Sequence, residues 1–225
     1  MPPIDWPANL CPANVLVRPP RKTQGLTTSL SQFTQRIPSI RPPFGLTIEF
    51  GALFGDKVLA YRALLASLEG RANTVRVPLF DFWFRASDAE MGAGFVPHDD
   101  GSPFSDGSLY ATGDIEGVTA SGVQGQRTLT VDFGAYGQLL QGGMYFGLRD
   151  HPYIAQTVAW AGAVATIHCS PSLRTAYTAE PLRTRPTMIA GLIEDDGGEH
   201  MLRRGRWTQP TLDFEERFDQ PLLPA

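Results

Sequence analysis

Cysteine is nearly missing from this chain. There are two among 225 residues, Cys11 and Cys169, too few for a disulfide framework and in neither a CxxC nor a Cys/His spacing that would hold zinc. They are expected as reduced, packed thiols. Basic charge is scarce as well: 19 Lys and Arg stand against 23 Asp and Glu, a net charge of −4. Without a basic field to hold phosphates, nucleic acid is not an expected specific ligand. No apolar run approaches the roughly 18 residues of a membrane helix. The amino-terminal MPPIDWPANLCP lacks the basic and apolar regions of a secretory signal. The expectation is a protein made in the cytoplasm, with no membrane partner.

What is present suits a folded core. Hydrophobic residues make up 42% and charged residues 19%, the balance of a globular chain. The 19 prolines and 23 glycines are scattered as punctuation, which favours short strands over long helices. The length exceeds an average domain of about 150 residues, so one large domain and a small core carrying an inserted module are both open.

Up to Pro43 the chain is broken by prolines, and the pieces between them, Asn14 to Arg18 and Leu30 to Ile40, read as extended strands or arms. Leu46, Ile48 and Phe50 alternate as on a half-buried strand. The period then changes. Val58, Tyr61, Leu65 and Leu68, widened by Leu64, fall at helical spacing over 56–69, with Asp56 as a candidate N-cap and Gly70 at C′. Thr74 to Phe84 reads as a β-branched and aromatic strand. Residues 86–107 are a polar loop rich in Ser, Asp, Gly and Pro. Short strands return at 109–111, 117–120, 127–133, 144–148, 153–158 and 163–168, separated by glycine turns, as in a small closed barrel. A last strand pair is expected at 186–193 and 207–218, with Leu212, Phe214 and Glu216 sharing a face.

Candidate chemistry is weighed against plain structural readings. His98-Asp-Asp100 and the group Glu194, Asp195, Asp196 and Glu199 carry metal-ligating types, but consecutive residues on a strand diverge and EF-hand spacing is lacking. His168 adjoins Cys169, yet strand neighbours face opposite ways, which disfavours a Cys–His pair. His151 precedes Pro152 in a turn. Gly122 to Gly125 and Gly142-Gly143 have no Lys-Ser/Thr behind them and read as hairpin turns, not phosphate cradles. Ser29, Ser31, Ser87 and Ser121 lack a GxSxG elbow. No residue is therefore assigned a catalytic, cofactor-binding or metal role; no cofactor is expected, and the chain is expected not to be an enzyme.

Taken in order, several segments carry a resemblance: Ile4-Asp-Trp-Pro7, the helix end Leu64-Leu-Ala-Ser-Leu-Glu-Gly70 with Val75-Arg-Val-Pro-Leu-Phe-Asp81, and Gln138-Leu-Leu-Gln-Gly-Gly-Met-Tyr-Phe-Gly-Leu148 with His151-Pro-Tyr-Ile-Ala155. Ala165-Thr-Ile-His-Cys-Ser-Pro-Ser-Leu-Arg174, Thr184-Arg-Pro-Thr-Met188 and Thr211-Leu-Asp-Phe-Glu-Glu-Arg-Phe218 follow. In this order they resemble the distal tail proteins of tailed phages and their relatives in gene transfer agents, minor tail and baseplate components. The resemblance implies a mainly β (α+β) fold: a tail-tube-like β-sandwich core over 1–85 plus 205–225, with one flanking helix, and an inserted small β-barrel over 108–190. It further implies a structural virion protein at the distal end of the tail. There it would form a ring, a hexamer, joining the tail tube protein to the baseplate hub protein around a lumen for DNA and the tape-measure protein. A carbohydrate- or receptor-binding module of the tail tip, stacking sugars on Trp83, Trp160 or Tyr110, is the alternative; a cell-wall hydrolase is a third reading.

Overall fold

The computed structural model describes residues 2–20, 23–28, 34–39, 41–80, 95–96, 110–111, 115, 117–199 and 207–218. The protein is mainly β, with one α-helix among the described residues. It divides into two compact units, Met1–Leu79 with Met188–Ala225, and Phe80–Thr187.

The first unit is built on a six-stranded sheet in the order Ile4–Asp5, Val75–Pro78, Thr187–Leu192, Thr211–Glu216, Gly45–Glu49, Asn14–Arg18. The last described strand therefore lies in its middle, antiparallel to Gly45–Glu49: Leu212 lies opposite Ile48 and Phe214 opposite Leu46. Ile4 and Asp5 run parallel to Val75 and Arg76. Alternation decides which face is covered. Leu46, Ile48, Val75, Val77, Leu212 and Phe214 are fully buried, while the other face carries Arg18 bridged to Asp213 at 3.1 Å and Arg76 to Asp5 at 2.7 Å. Those exposed pairs each contribute little, about 0–1 kcal/mol; the buried side chains, at about 1.5–3 kcal/mol each, supply most of the cohesion.

The helix runs over Asp56–Leu68 and buries Val58, Tyr61, Leu64 and Leu68. Two details differ from the expectation. The cap is Gly55, at φ 53° and ψ −126°, and no side chain caps the helix; the left-handed turn leaving Leu53–Phe54 requires a residue without Cβ at that point, so Asp56 moves into the first turn, where its charge still suits the helix dipole. Leu64, rather than Leu65, is fully buried. An aromatic chain ties helix to sheet: Tyr61 meets Phe50 edge-on at 5.6 Å, Phe50 stacks on Trp6 at 6.2 Å, and Trp6 meets Phe214 at 6.2 Å. At the sheet's end Glu216, 3% exposed, lies on the buried face. Its carboxylate accepts the Phe44 amide at 3.1 Å, which explains an acid where the pattern expects an apolar residue.

The second unit contains a closed antiparallel barrel in the order Thr119–Gly122, Thr128–Asp132, Val164–Ser170, His151–Ala161, Tyr145–Leu148, Tyr177–Arg183. One expected member is replaced. Tyr110–Ala111 pairs with Phe95–Val96, a short strand inside the stretch read as polar loop, instead of joining the barrel. The sixth barrel strand is Tyr177–Arg183, which closes the ring against Thr119–Gly122 across a bulge. The barrel strands end at Arg183, and Thr187–Leu192 belongs to the six-stranded sheet. Outside both, Thr23–Thr28 and Thr34–Pro38 form a hairpin, and Leu53–Phe54 pairs with Trp207–Thr208. No helix among the described residues is long and apolar enough to cross a membrane.

Candidate functional site

The longest barrel strand, His151–Ala161, changes phase midway. Tyr153 and Ala155 are buried in the barrel. Between Ala155 and Thr157 the pairing with Val164–Ser170 shifts by one residue, so Gln156 bulges. A bulge reverses the faces of everything that follows. Val158 and Trp160 consequently pair with Ile167 and Ala165, two core residues, and pack half-buried against the core.

The bulge is held by the turn over 141–144. The Gly143 amide donates to the Ala155 carbonyl at 2.7 Å, and the Ala155 amide to Met144 at 2.9 Å. A Cβ at Gly142 would stand 3.0 Å from the Gln156 carbonyl oxygen. Gly142 is there for close approach, and Gly143, at φ 95°, for its left-handed turn.

Trp160 lies on Phe133, ring centroids 5.2 Å apart at 60°. Phe133 is itself pinned, its amide donating to Ala163 and its carbonyl accepting from Tyr136 at 3.1 Å. Tyr136, Leu139, Met144, Val158 and Trp160 are all half-buried against the barrel core. They make a half-buried apolar and aromatic rim on the barrel core, in which Trp160 is the member that meets the Phe133 ring.

At the other end of the same strand stands a charged cluster. Arg149 Nε donates to Glu180 at 2.8 Å and the guanidinium sits 5.9 Å from the Tyr177 ring centre. The Tyr177 and Tyr153 hydroxyls are 2.8 Å apart, and the Arg174 amide donates to Tyr153 at 2.9 Å. Burial first, then the neighbouring Tyr153, pushes the Tyr177 hydroxyl far up, so it stays neutral. Arg149 and Ala179, at φ 55° and 47°, hold the two sides in left-handed turns. The groups satisfy one another and read as a strut closing the barrel.

The sequence candidates separate clearly. Cys169 faces the core, and burial pushes its thiol up to about 11, the Arg127 charge opposing this only in part. His168, the next residue back, is exposed on the other face, so the two make no catalytic pair. His151 is buried at the start of its strand. Asp195 is used structurally, accepting the Arg71 amide at 3.1 Å. Glu194, Asp196 and Glu199 beside it are exposed, and among the described residues no three His, Cys, Asp or Glu converge on one point. The Gly122–Gly125 segment is a hairpin turn whose Gly125 amide is taken by Leu173. Ser121 accepts the Ala179 amide at 2.9 Å. Ser29, Ser31, Trp83, Ser87 and His98 to Asp100 lie outside the described residues, as does the side chain of Tyr110.

Of the sugar-stacking candidates Trp83, Trp160 and Tyr110, Trp160 is the one whose side chain is described, half-buried on Phe133; Tyr136, Leu139, Met144 and Val158 were not singled out from the sequence. The signal that marks them is an absence of charge: residues 133–148 and 152–167 contain no Asp, Glu, Lys, Arg or His. A scan against protein-family models and a search of curated proteins return no match to this chain.

Proposed function

We propose that this chain is a structural, non-enzymatic ring subunit of a siphophage-type tail, placed at the distal end of the tube, where it joins the tail tube to the baseplate hub. On this reading the first unit is the tail-tube-like core, its six-stranded sheet forming one layer of a sandwich, and the barrel is the module inserted into it. The observation that carries the proposal is the sheet's last strand. Among the described residues Asn14–Arg18 pairs on one side only, with Gly45–Glu49. Leu16 in its centre is 60% exposed. An open edge with an outward leucine invites a strand from another chain, and joining the two different edges of successive copies generates a ring when the rotation closes.

The acidic balance is consistent with a lumen that passes DNA, because basic walls would hold the phosphates they must release. Tail tube, hub and tape-measure proteins are the proposed partners, a hexamer the proposed form and the virion tail the proposed location. Light scattering on the purified chain, with images of the particles, tests the proposal: closed rings support it, and a monomer at every concentration overturns it.

A further inference from the structure

We propose that the strand His151–Ala161, beyond its bulge at Gln156, accepts an extended, uncharged segment of another protein as an added strand. It is eleven residues long where its neighbour Tyr145–Leu148 has four, so it outruns that partner. Their pairing covers His151 to Ile154, and the last bonds on that side join Ala155 to Gly143 and Met144. Past them, among the described residues, 157–161 pairs on one side only, with Val164–Ser170. The register shows which backbone groups are left over. Gly162 and Ala163 make a two-residue turn, so Ala161 and Val164 close the hairpin by exchanging both their bonds. Bonded pairs then alternate, Ala159 with Thr166 and Thr157 with His168. The far side of Val164–Ser170 keeps the same parity: there Ala163 accepts from Phe133 and Cys169 donates to Arg127. Val158 and Trp160 are thus left with their N–H and C=O groups aimed away from the hairpin.

The occupant follows from that row of groups. Donors and acceptors alternating at the spacing of a ladder are matched in full by another extended main chain, whose backbone bonds give affinity and whose alternate side chains give specificity. Charge sets its chemistry. Thr157-Val-Ala-Trp-Ala161 carries none; His168 stands opposite Thr157, at the far end from the turn, and Asp132 one strand further in, opposite Val164. A charged side chain laid over Val158 to Trp160 would meet no counter-charge on this strand. Open edges are commonly guarded by lysine, proline or an inward charge, and these residues have no such guard. Thr157, Ala159 and Ala161 are exposed and small, which leaves room for a bulky β-branched or aromatic side chain opposite Ala159. The ring proposed above uses the other open edge, Asn14–Arg18, so the two edges are independent.

The test is fluorescence anisotropy of the full-length protein with a labelled peptide, Lys-Thr-Val-Tyr-Val-Thr-Lys, and with a counterpart ending in glutamates, which removes general charge attraction. Both should bind with a Kd on the order of 1 mM or tighter. The same peptides N-methylated at the two valines, which lack the donors facing the edge, should bind about tenfold more weakly or worse. Val158→Pro removes an outward N–H without breaking a bond to Val164–Ser170 and should weaken binding about tenfold. Ala159→Lys, on an exposed side chain, should do the same with circular dichroism unchanged, and it carries the test if the proline variant does not fold. Hydrogen exchange read at single residues should be fast at Val158 and Trp160 in the free protein, slow at Thr157, Ala159 and Ala161, and slowed at the first two by peptide. No binding at about 10 mM, equal binding of the methylated peptides, affinity unchanged in Ala159→Lys, or slow exchange at Val158 and Trp160 without peptide would overturn the proposal. So would a mass that Ala159→Lys halves, since a second copy would then hold the edge. Leu16→Glu should leave peptide binding intact, so failure of the ring and failure of this site are read separately.

Discussion

Tyr61 donates its hydroxyl to the carbonyl of Gly198 at 2.6 Å, and this bond pins the acidic turn after Thr187–Leu192 onto the helix. Gly198 stands at φ 87° with no room for a side chain: a Cβ would overlap Leu212 Cδ2 and lie 2.9 Å from both Leu65 Cδ2 and the Tyr61 hydroxyl. Gly198→Ala should therefore destabilise the first unit by about 2–4 kcal/mol, combining overpacking with the left-handed backbone cost. Tyr61→Phe, which removes the bond and keeps the ring, should cost about 1 kcal/mol. Urea unfolding of both variants measures the difference, and equal losses would contradict it.

Two barrel substitutions should act in opposite directions. Gly122→Ala would drive a methyl to 2.5 Å from Leu173 and 2.8 Å from Leu129, both core residues, and should cost about 1–3 kcal/mol. Ala179→Gly relieves an L-residue at φ 47° in the bulge opposite Thr119–Gly122. It should stabilise the barrel by about 0.5–1 kcal/mol, since glycine adopts that conformation without the Cβ penalty. Thermal unfolding of the two variants reads both signs.

Alkaline pH should loosen the barrel. Burial raises the Cys169 thiol from its ordinary 9.0 to about 11. A raised folded value means that the unfolded chain loses its proton first, so the contribution is complete below pH 9 and disappears progressively as pH rises to about 11. In the barrel the buried hydroxyl of Tyr177, shifted upward mainly by burial, extends the loss above about pH 10, and that of Tyr61 adds a like loss in the first unit. Stability measured against pH should be flat around pH 8 in this respect and fall beyond pH 9. In Cys169→Ala the fall should begin later, with the tyrosines alone.

Charge on the open edge should block assembly and spare the fold. Leu16→Glu adds a carboxylate to an exposed position, 60% accessible, so its effect on stability should stay within about 0.5 kcal/mol. Its side chain stands on the face beside the partner strand's residues, and a charge on an edge strand is a common device against edge-to-edge pairing. Sedimentation should show smaller particles for Leu16→Glu than for the wild type, with unchanged circular dichroism.

The legible parts of the fold were those with an unbroken period. Asp56–Leu68 keeps a helical stripe, and Gly45–Glu49 and Thr211–Glu216 keep alternation up to Glu216, so their faces could be read directly. Tyr177–Arg183 could not: its burial runs irregularly, with Ala179 in a bulge and Pro181 within the strand, which erases the period-two signal. The same physics hid the rim. Strict alternation from Tyr153 and Ala155 would put Trp160 on the outer face, and only the extra residue at Gln156 returns it to Phe133. The two-residue parallel pairing of Ile4–Asp5 with Val75 and Arg76 is too short to leave any pattern.

The most direct test of the central claim is the mass of the full-length protein in solution, by multi-angle light scattering across a range of concentrations with negative-stain images of the peak. A ring subunit predicts closed annular particles, at six times the 24.6 kDa of one chain for the proposed hexamer. A single species at the mass of one chain, unchanged up to the highest concentration reached, would contradict it.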